Sequence, residues 1–229
     1  LPQWLRFLAA DSFYANQETA LGSGNGDDYY LYRSDTDGLF RLIPYDQDTI
    51  LGQGDTSANP RQDFWTATRG PVTKRLMTWP SFAPLYYSNL VQLATGPLSE
   101  AKFKPFLKRT LSTSNVPETR KEQLLTFARD RGNFILETVP RRLAADISLR
   151  QANGVYLAAS PTGSLPILTG ISDATRTALV TVNGQNANWN PVTARWAHIP
   201  DPLKPGNNRF NIQAIDANET VIELLTFDI

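Results

Sequence analysis

The chain has 229 residues, 41% apolar, 10% aromatic and 19% charged, which is the composition of one large or two small folded domains rather than a disordered or fibrous segment. Its 22 basic and 22 acidic side chains balance, which argues against a domain built to grip nucleic acid or an anionic membrane. Zero cysteine removes disulfides, thiolate metal sites and cysteine nucleophiles, a single histidine (His198) argues against a Ser-His-Asp triad or a multi-histidine metal site, and no apolar run approaches the ~18 residues of a membrane span.

Leu1 leads straight into an amphipathic stretch with no signal-peptide pattern, which reads as a piece of a longer protein. The spacing of Trp4, Leu5, Leu8 and Ser12, widened by Phe7, predicts a helix over Pro2–Ala15. Asn16–Asp28 reads as a flexible loop with glycines at 22, 24 and 26. Tyr29–Arg33 and Leu39–Ile43 have strand composition and flank the turn-forming Ser34-Asp35-Thr36-Asp37-Gly38, so they predict a β-hairpin that Pro44 ends. After an irregular stretch from Gly54 to Gly70, helices are expected at Pro71–Trp79, Pro80 to about Ala94, Ser99–Leu111 with Ser99 as N-cap, and Pro117 to about Thr138.

From about Leu149 charged residues thin out and Asn, Thr, Val and Pro take over. Short runs at Gly154–Ala158, Leu165–Leu168, Ala178–Val182, Ala194–Ile199, Arg209–Ile215 and Val221–Phe227 predict a small all-β sandwich, the boundary falling near Asp146–Asn153. The fold class expected is therefore α+β: a mainly helical domain over 1–148 with one hairpin, then a β-module over 149–229.

The charges are unevenly placed. Ten acidic against four basic side chains through Asp63 give that segment −6, and the remainder carries +6. Within it, Asp46 and Asp48 stand two apart just after a strand, and in extended backbone that period puts both carboxylates on one face, where they could converge on a divalent cation. The competing readings are a calcium clasp or simply solvated turn acids.

A helix, a polar loop containing Asn16, a hairpin and then an aspartate is also the order of parts in the C-terminal lobe of protein kinases, although neither His-Arg-Asp nor Asp-Phe-Gly is present. Asn16-Gln17-Glu18-Thr19-Ala20-Leu21, Asp27-Asp28-Tyr29-Tyr30-Leu31-Tyr32-Arg33 and Leu42-Ile43-Pro44-Tyr45-Asp46-Gln47-Asp48-Thr49, followed by Trp79-Pro80-Ser81-Phe82-Ala83 and Tyr86-Tyr87, together resemble the CotH kinase family (spore coat protein H type) over roughly Leu1–Pro140. That resemblance implies an atypical protein kinase moving phosphate from ATP to protein Ser or Thr with Mg²⁺, or Mn²⁺ or Ca²⁺ in its place. Asp46 and Asp48 would hold the metal. Asn16 and Asp28 would join that ligand set, Asp28 standing where a strand-entry asparagine is common. Glu18 stands where the family has the loop aspartate that orients or deprotonates the substrate hydroxyl, so Asn16 and Glu18 are the catalytic candidates. Glu18 as an ordinary loop acid and Asn16 as a helix C-cap are the alternatives. The longer Glu18 side chain also leaves open a pseudokinase that keeps the metal site. Tyr45 replaces the family tryptophan, a packing change. The family's N-terminal lobe would lie upstream, and this segment alone is not expected to be a competent kinase.

Val180-Thr181-Val182-Asn183-Gly184, Trp196 and Leu203-Lys204-Pro205-Gly206-Asn207-Asn208 resemble bacterial immunoglobulin-like modules, which implies a spacer or a cell-wall or carbohydrate contact in an envelope or secreted bacterial protein. A non-catalytic surface protein with a structural Ca²⁺ or Mg²⁺ site is the alternative function. Trp65, Trp79, Trp189 and Trp196 could in principle stack on sugars, but core packing is the expected role.

Overall fold

The computed structural model describes residues 2–23, 28–54, 58–158 and 167–229. The chain divides into two compact units, residues 1–139 and 140–229.

In the first unit, α1 (Pro2–Tyr14) and a single turn α2 (Ala20–Ser23) precede the hairpin β1 (Tyr29–Arg33) and β2 (Phe40–Pro44). Four helices follow: α3 (Pro71–Met77), α4 (Phe82–Thr95), α5 (Glu100–Thr110) and α6 (Glu118–Thr138). The α1 stripe buries Leu5, Leu8, Ala9 and Phe13, together with the polar Asp11 and Ser12, and packs mainly on α4. Alpha 6 runs unbroken through Gly132, where an added Cβ would meet Phe13 and Ala94 at ordinary contact distances of 3.8 and 3.9 Å. Ser99 occupies the N-cap position of α5 without capping through its side chain; its hydroxyl donates to Gly96 C=O instead.

The hairpin forms as its turn residues dictate, with Gly38 at φ 68° and its N–H donating to Ser34 C=O at 2.9 Å. Strand register pairs Leu31 with Leu42 and Tyr30 with Ile43. One face buries Leu42, and Gln3 of α1 bonds both the N–H and C=O of that residue. The other face presents Tyr30, Tyr32 and Ile43, all half-exposed, and the Tyr45 ring packs against Tyr30 at 4.6 Å between centroids, tilted by 55°.

The glycine-rich stretch corrects one expectation. Gly22 does not serve a flexible loop: a Cβ there would lie 2.5 Å from Thr66 C=O and 2.8 Å from Ala67 Cα, so backbone approaches backbone at this point. Gly24 and Gly26 lie outside the described residues.

Among its described residues the second unit is all β. Its strands are β3 (Ala144–Asp146), β4 (Arg150–Ala152), β5 (Val155–Leu157), β6 (Leu168–Ile171), β7 (Leu179–Val182), β8 (Gln185–Asn186), β9 (Asn188–Asn190), β10 (Arg195–His198), β11 (Arg209–Ile215) and β12 (Val221–Asp228). Two four-stranded antiparallel sheets, ordered β3-β6-β10-β9 and β12-β11-β7-β8, share one core of Leu168, Val180, Val182, Trp196, Phe210 and Ile212. Because β3 pairs with β6, the residues from Pro140 onward belong to this unit, so the division lies earlier than the change of composition placed it. The strand expected at Leu165–Leu168 runs instead over Leu168–Ile171, and residues 165 and 166 lie outside the described residues. Trp196, 1% exposed, is core and has no face left for stacking on a sugar.

Candidate functional site

Three segments meet at the C-terminal end of α1, and Asn16 joins them. The helix ends because Ala15 takes a left-handed conformation (φ 53°), with Ala15 N–H donating to Ser12 C=O and Asn16 N–H to Asp11 C=O at 3.1 Å. This is the pairing of a Schellman cap, and it turns Asn16 back under the helix. Asn16 is 2% exposed. Its Nδ2 donates to Asp11 Oδ1 at 2.9 Å and to Asp28 Oδ2 at 3.2 Å. Its Oδ1 accepts from Glu18 N–H and from Thr49 Oγ1, both at 3.0 Å. Two donors and two lone pairs are all an asparagine amide has, so every one is used.

The segment after β2 is tied to the same place. Tyr45 N–H donates to Asp28 C=O at 3.0 Å, Gln17 N–H to Thr49 C=O at 3.4 Å, and Leu51 N–H to Tyr14 C=O at 2.7 Å. These bonds bend the chain at Asp46, whose φ is 44°. Strand alternation therefore does not set Asp46 and Asp48 on one face, because the strand stops at Pro44 and the backbone turns left-handed two residues later.

Both aspartates are nevertheless exposed and stand in the same electrostatic neighbourhood as Glu18. The Glu18 carboxyl is raised above its ordinary pKa by lost hydration, then by the negative charges of Asp28 and Asp48 and, more weakly, Asp46, while the Thr49 hydroxyl opposes the shift. Asp28 is 4% exposed and sits inside the scaffold against Asn16. The sequence candidates thus separate. Glu18, Asp46 and Asp48 face solvent, whereas Asn16 and Asp28 are internal, with the Asn16 oxygen that would ligate a metal already accepting two hydrogen bonds. Among the described residues no three acidic or histidine side chains group closely enough to hold a metal ion between them. A pair of exposed carboxylates fits a cation that keeps water or phosphate oxygens in its shell, as Mg²⁺ does.

Sequence reasoning missed two members. Asp11 entered the sequence reading only in the acidic count, yet it is 5% exposed, with its carboxyl pushed up by burial against the opposing hydrogen bonds from Thr19 and Asn16. Thr49, 5% exposed, was hidden behind the more conspicuous Asp46 and Asp48.

Gly52 closes the loop beyond Thr49. It has φ 74°, and a Cβ would lie 2.8 Å from the Phe127 ring of α6. Gly52→Ala is expected to destabilise the first unit by about 2 kcal/mol through backbone strain plus overpacking. In denaturant titrations of a double-mutant cycle, Phe127→Leu should return the contact share and leave the strain; full additivity of the two variants would show that the ring is not the obstacle.

The family described as CotH kinase protein matches residues 1–135. The chain belongs to the CotH kinase family. The match spans α1, the hairpin and most of α6, and it therefore contains the Asn16 junction and all of Glu18, Asp28, Asp46 and Asp48. A search of curated proteins finds no match. No helix among the described residues is long and apolar enough to cross a membrane.

Proposed function

We propose that the CotH unit supplies the metal-binding and substrate-hydroxyl side of a protein kinase that transfers phosphate from ATP to Ser or Thr. The observation that carries this reading is the Asn16 junction, whose side-chain oxygen fastens the loop of Glu18 to the loop of Asp48 and Thr49. In phosphoryl transfer the protein contributes mostly positioning and charge placement, so a rigid seat for exposed carboxylates is the relevant property. Asp46 and Asp48 would hold Mg²⁺, which when bound neutralises the phosphate charge. Glu18, with its raised affinity for a proton, would accept the hydrogen bond of the incoming hydroxyl. Asp28 and Asn16 act from within, keeping the two loops in register. The second unit we read as an immunoglobulin-like module that spaces or presents the kinase at a bacterial surface. Its support is the pair of antiparallel sheets around Trp196 and the turn pattern of the sequence.

The test is calorimetric titration of ATP into the full-length protein with and without Mg²⁺, beside the Asp46→Asn/Asp48→Asn double variant. Binding that requires Mg²⁺ and falls at least tenfold in the variant is expected. Binding that ignores either the cation or the variant would overturn the reading. Mg²⁺-dependent binding without transfer to any hydroxyl would make the protein a pseudokinase.

A further inference from the structure

We propose that Asp11 is a positioning residue of this site: it fixes the orientation of the Asn16 amide, and through it the distance between the Glu18 loop and the Asp48–Thr49 loop. The inference rests on the reading above for its consequence in metal binding, and on geometry alone for its consequence in the loop.

An asparagine amide can sit in either of two flipped orientations, and its neighbours choose between them. Here the choice is forced by chemistry. Asp11 Oδ1 and Asp28 Oδ2 are acceptors and take the two Nδ2 hydrogens, while Glu18 N–H and Thr49 Oγ1 are donors and take Oδ1. Asp11 is the nearer of the two acceptors, 2.9 Å against 3.2 Å, and it comes from the helix rather than from a loop. It is therefore the contact that ties the loop parts of the site to the helix. The rest of its side chain is engaged by Thr19, on the same loop as Glu18. Asp11 touches neither of the exposed aspartates, so it acts through Asn16.

What Asn16 requires from position 11 is an acceptor, not a charge. An amide there presents the same oxygen to Asn16 Nδ2, offers its own N–H₂ to the Thr19 hydroxyl, and removes the like charge beside Asp28. Asp11→Asn should therefore preserve the junction, and Asp11→Ala should release it. Partners that orient metal-binding groups from behind are worth about 10- to 100-fold in affinity.

The experiment compares wild type, Asp11→Asn, Asp11→Ala and the core truncation Leu107→Ala in α5, all in the full-length protein. Two quantities are read: Mn²⁺ affinity by electron paramagnetic resonance, and hydrogen exchange at the Glu18 amide, whose acceptor is Asn16 Oδ1. Asp11→Ala is expected to weaken Mn²⁺ at least tenfold and to speed Glu18 exchange at least tenfold. Asp11→Asn should stay within about threefold of wild type in both, and Leu107→Ala should leave both unchanged after correction for global opening. Equal losses in Asp11→Asn and Asp11→Ala would mean that Asp11 works by charge, and would overturn the proposal. So would equal losses in Leu107→Ala, which would reduce the effect to general destabilisation. If wild type binds no Mn²⁺, the kinase reading fails by itself, and Glu18 exchange still decides whether Asp11 positions the loop.

Discussion

Replacing Arg131 with methionine should destabilise the first unit by about 3 kcal/mol, leaving the Pro60 and Gln62 carbonyls without this donor at about 1–3 kcal/mol each, while Ser12 C=O keeps the Ala15 N–H, and recovering part of that from the lost burial of charge. Arg131 lies in α6 with no measurable exposure, and its guanidinium donates to the carbonyls of Pro60, Gln62 and Ser12. Ser12 in turn donates its hydroxyl to Phe64 C=O, which also receives the Tyr86 hydroxyl. One cation of α6 thus holds the segment 60–64 against the last turn of α1. Burial lowers its pKa to about 10, offset in part by Tyr86 and Asp63, so it stays charged at neutral pH. Its Nε makes no hydrogen bond. Arg131→Lys keeps the charge but cannot span three acceptors with one ammonium, and should recover less than half of the loss. Urea titrations followed by far-ultraviolet circular dichroism measure both; a methionine variant within 1 kcal/mol of wild type would show the carbonyls satisfied some other way.

In the second unit the largest effect is expected at Gly170. It sits in β6 between β3 and β10, opposite Ala145 on one side and Trp196 on the other. A Cβ there would stand 2.0 Å from Ala144 C=O and 2.7 Å from two carbons of the Trp196 ring. Overpacking against a movable side chain costs about 1–3 kcal/mol, and here one obstacle is backbone, so Gly170→Ala should exceed that range. The expected outcome is loss of the β3–β6 pairing and a red shift of tryptophan emission as the ring leaves its 1%-exposed position. Gly184→Ala is the comparison: it has φ 80° but nothing within 4 Å, so it should cost only the conformational term, about 1 kcal/mol. Similar losses in both would show that the sheet gives way at Gly170 without penalty.

What the sequence discloses and what it hides differ by the range of the interactions involved. The hairpin was legible because its turn is local: Ser34 and Gly38 bond to each other. The long helices were legible because periodicity is local too. The bend at Asp46 was not, because a bare Asp-x-Asp after a strand has no reason to turn; Asp28, earlier in the chain, supplies that reason through Tyr45 N–H. Gly22 looked like slack for the same cause, since Thr66 and Ala67 press on it from a distant segment. Helix spacing sets Asp11 in the stripe of Trp4, Phe7 and Leu8, but its charge placed it with the acidic surface, and only Asn16 and Thr19 show why it is buried. The edge strands β3 and β4, three residues each, are too short to show alternation, and so the onset of the β unit was read late.

The contact between Arg131 and Ser12 spans 119 positions. A ribosome adding roughly 5–20 residues each second would expose α1, both site loops and the hairpin for several seconds before the arginine exists. During that interval the segment 60–64 lacks its two arginine hydrogen bonds, and its tie to α1 is the Ser12 hydroxyl on Phe64 C=O. A chain with so distant a closing contact folds slowly once released, because loop closure precedes the reward. The contact that closes the first unit therefore becomes available only when its last helix is made, and that helix completes the seat for the first residues synthesised.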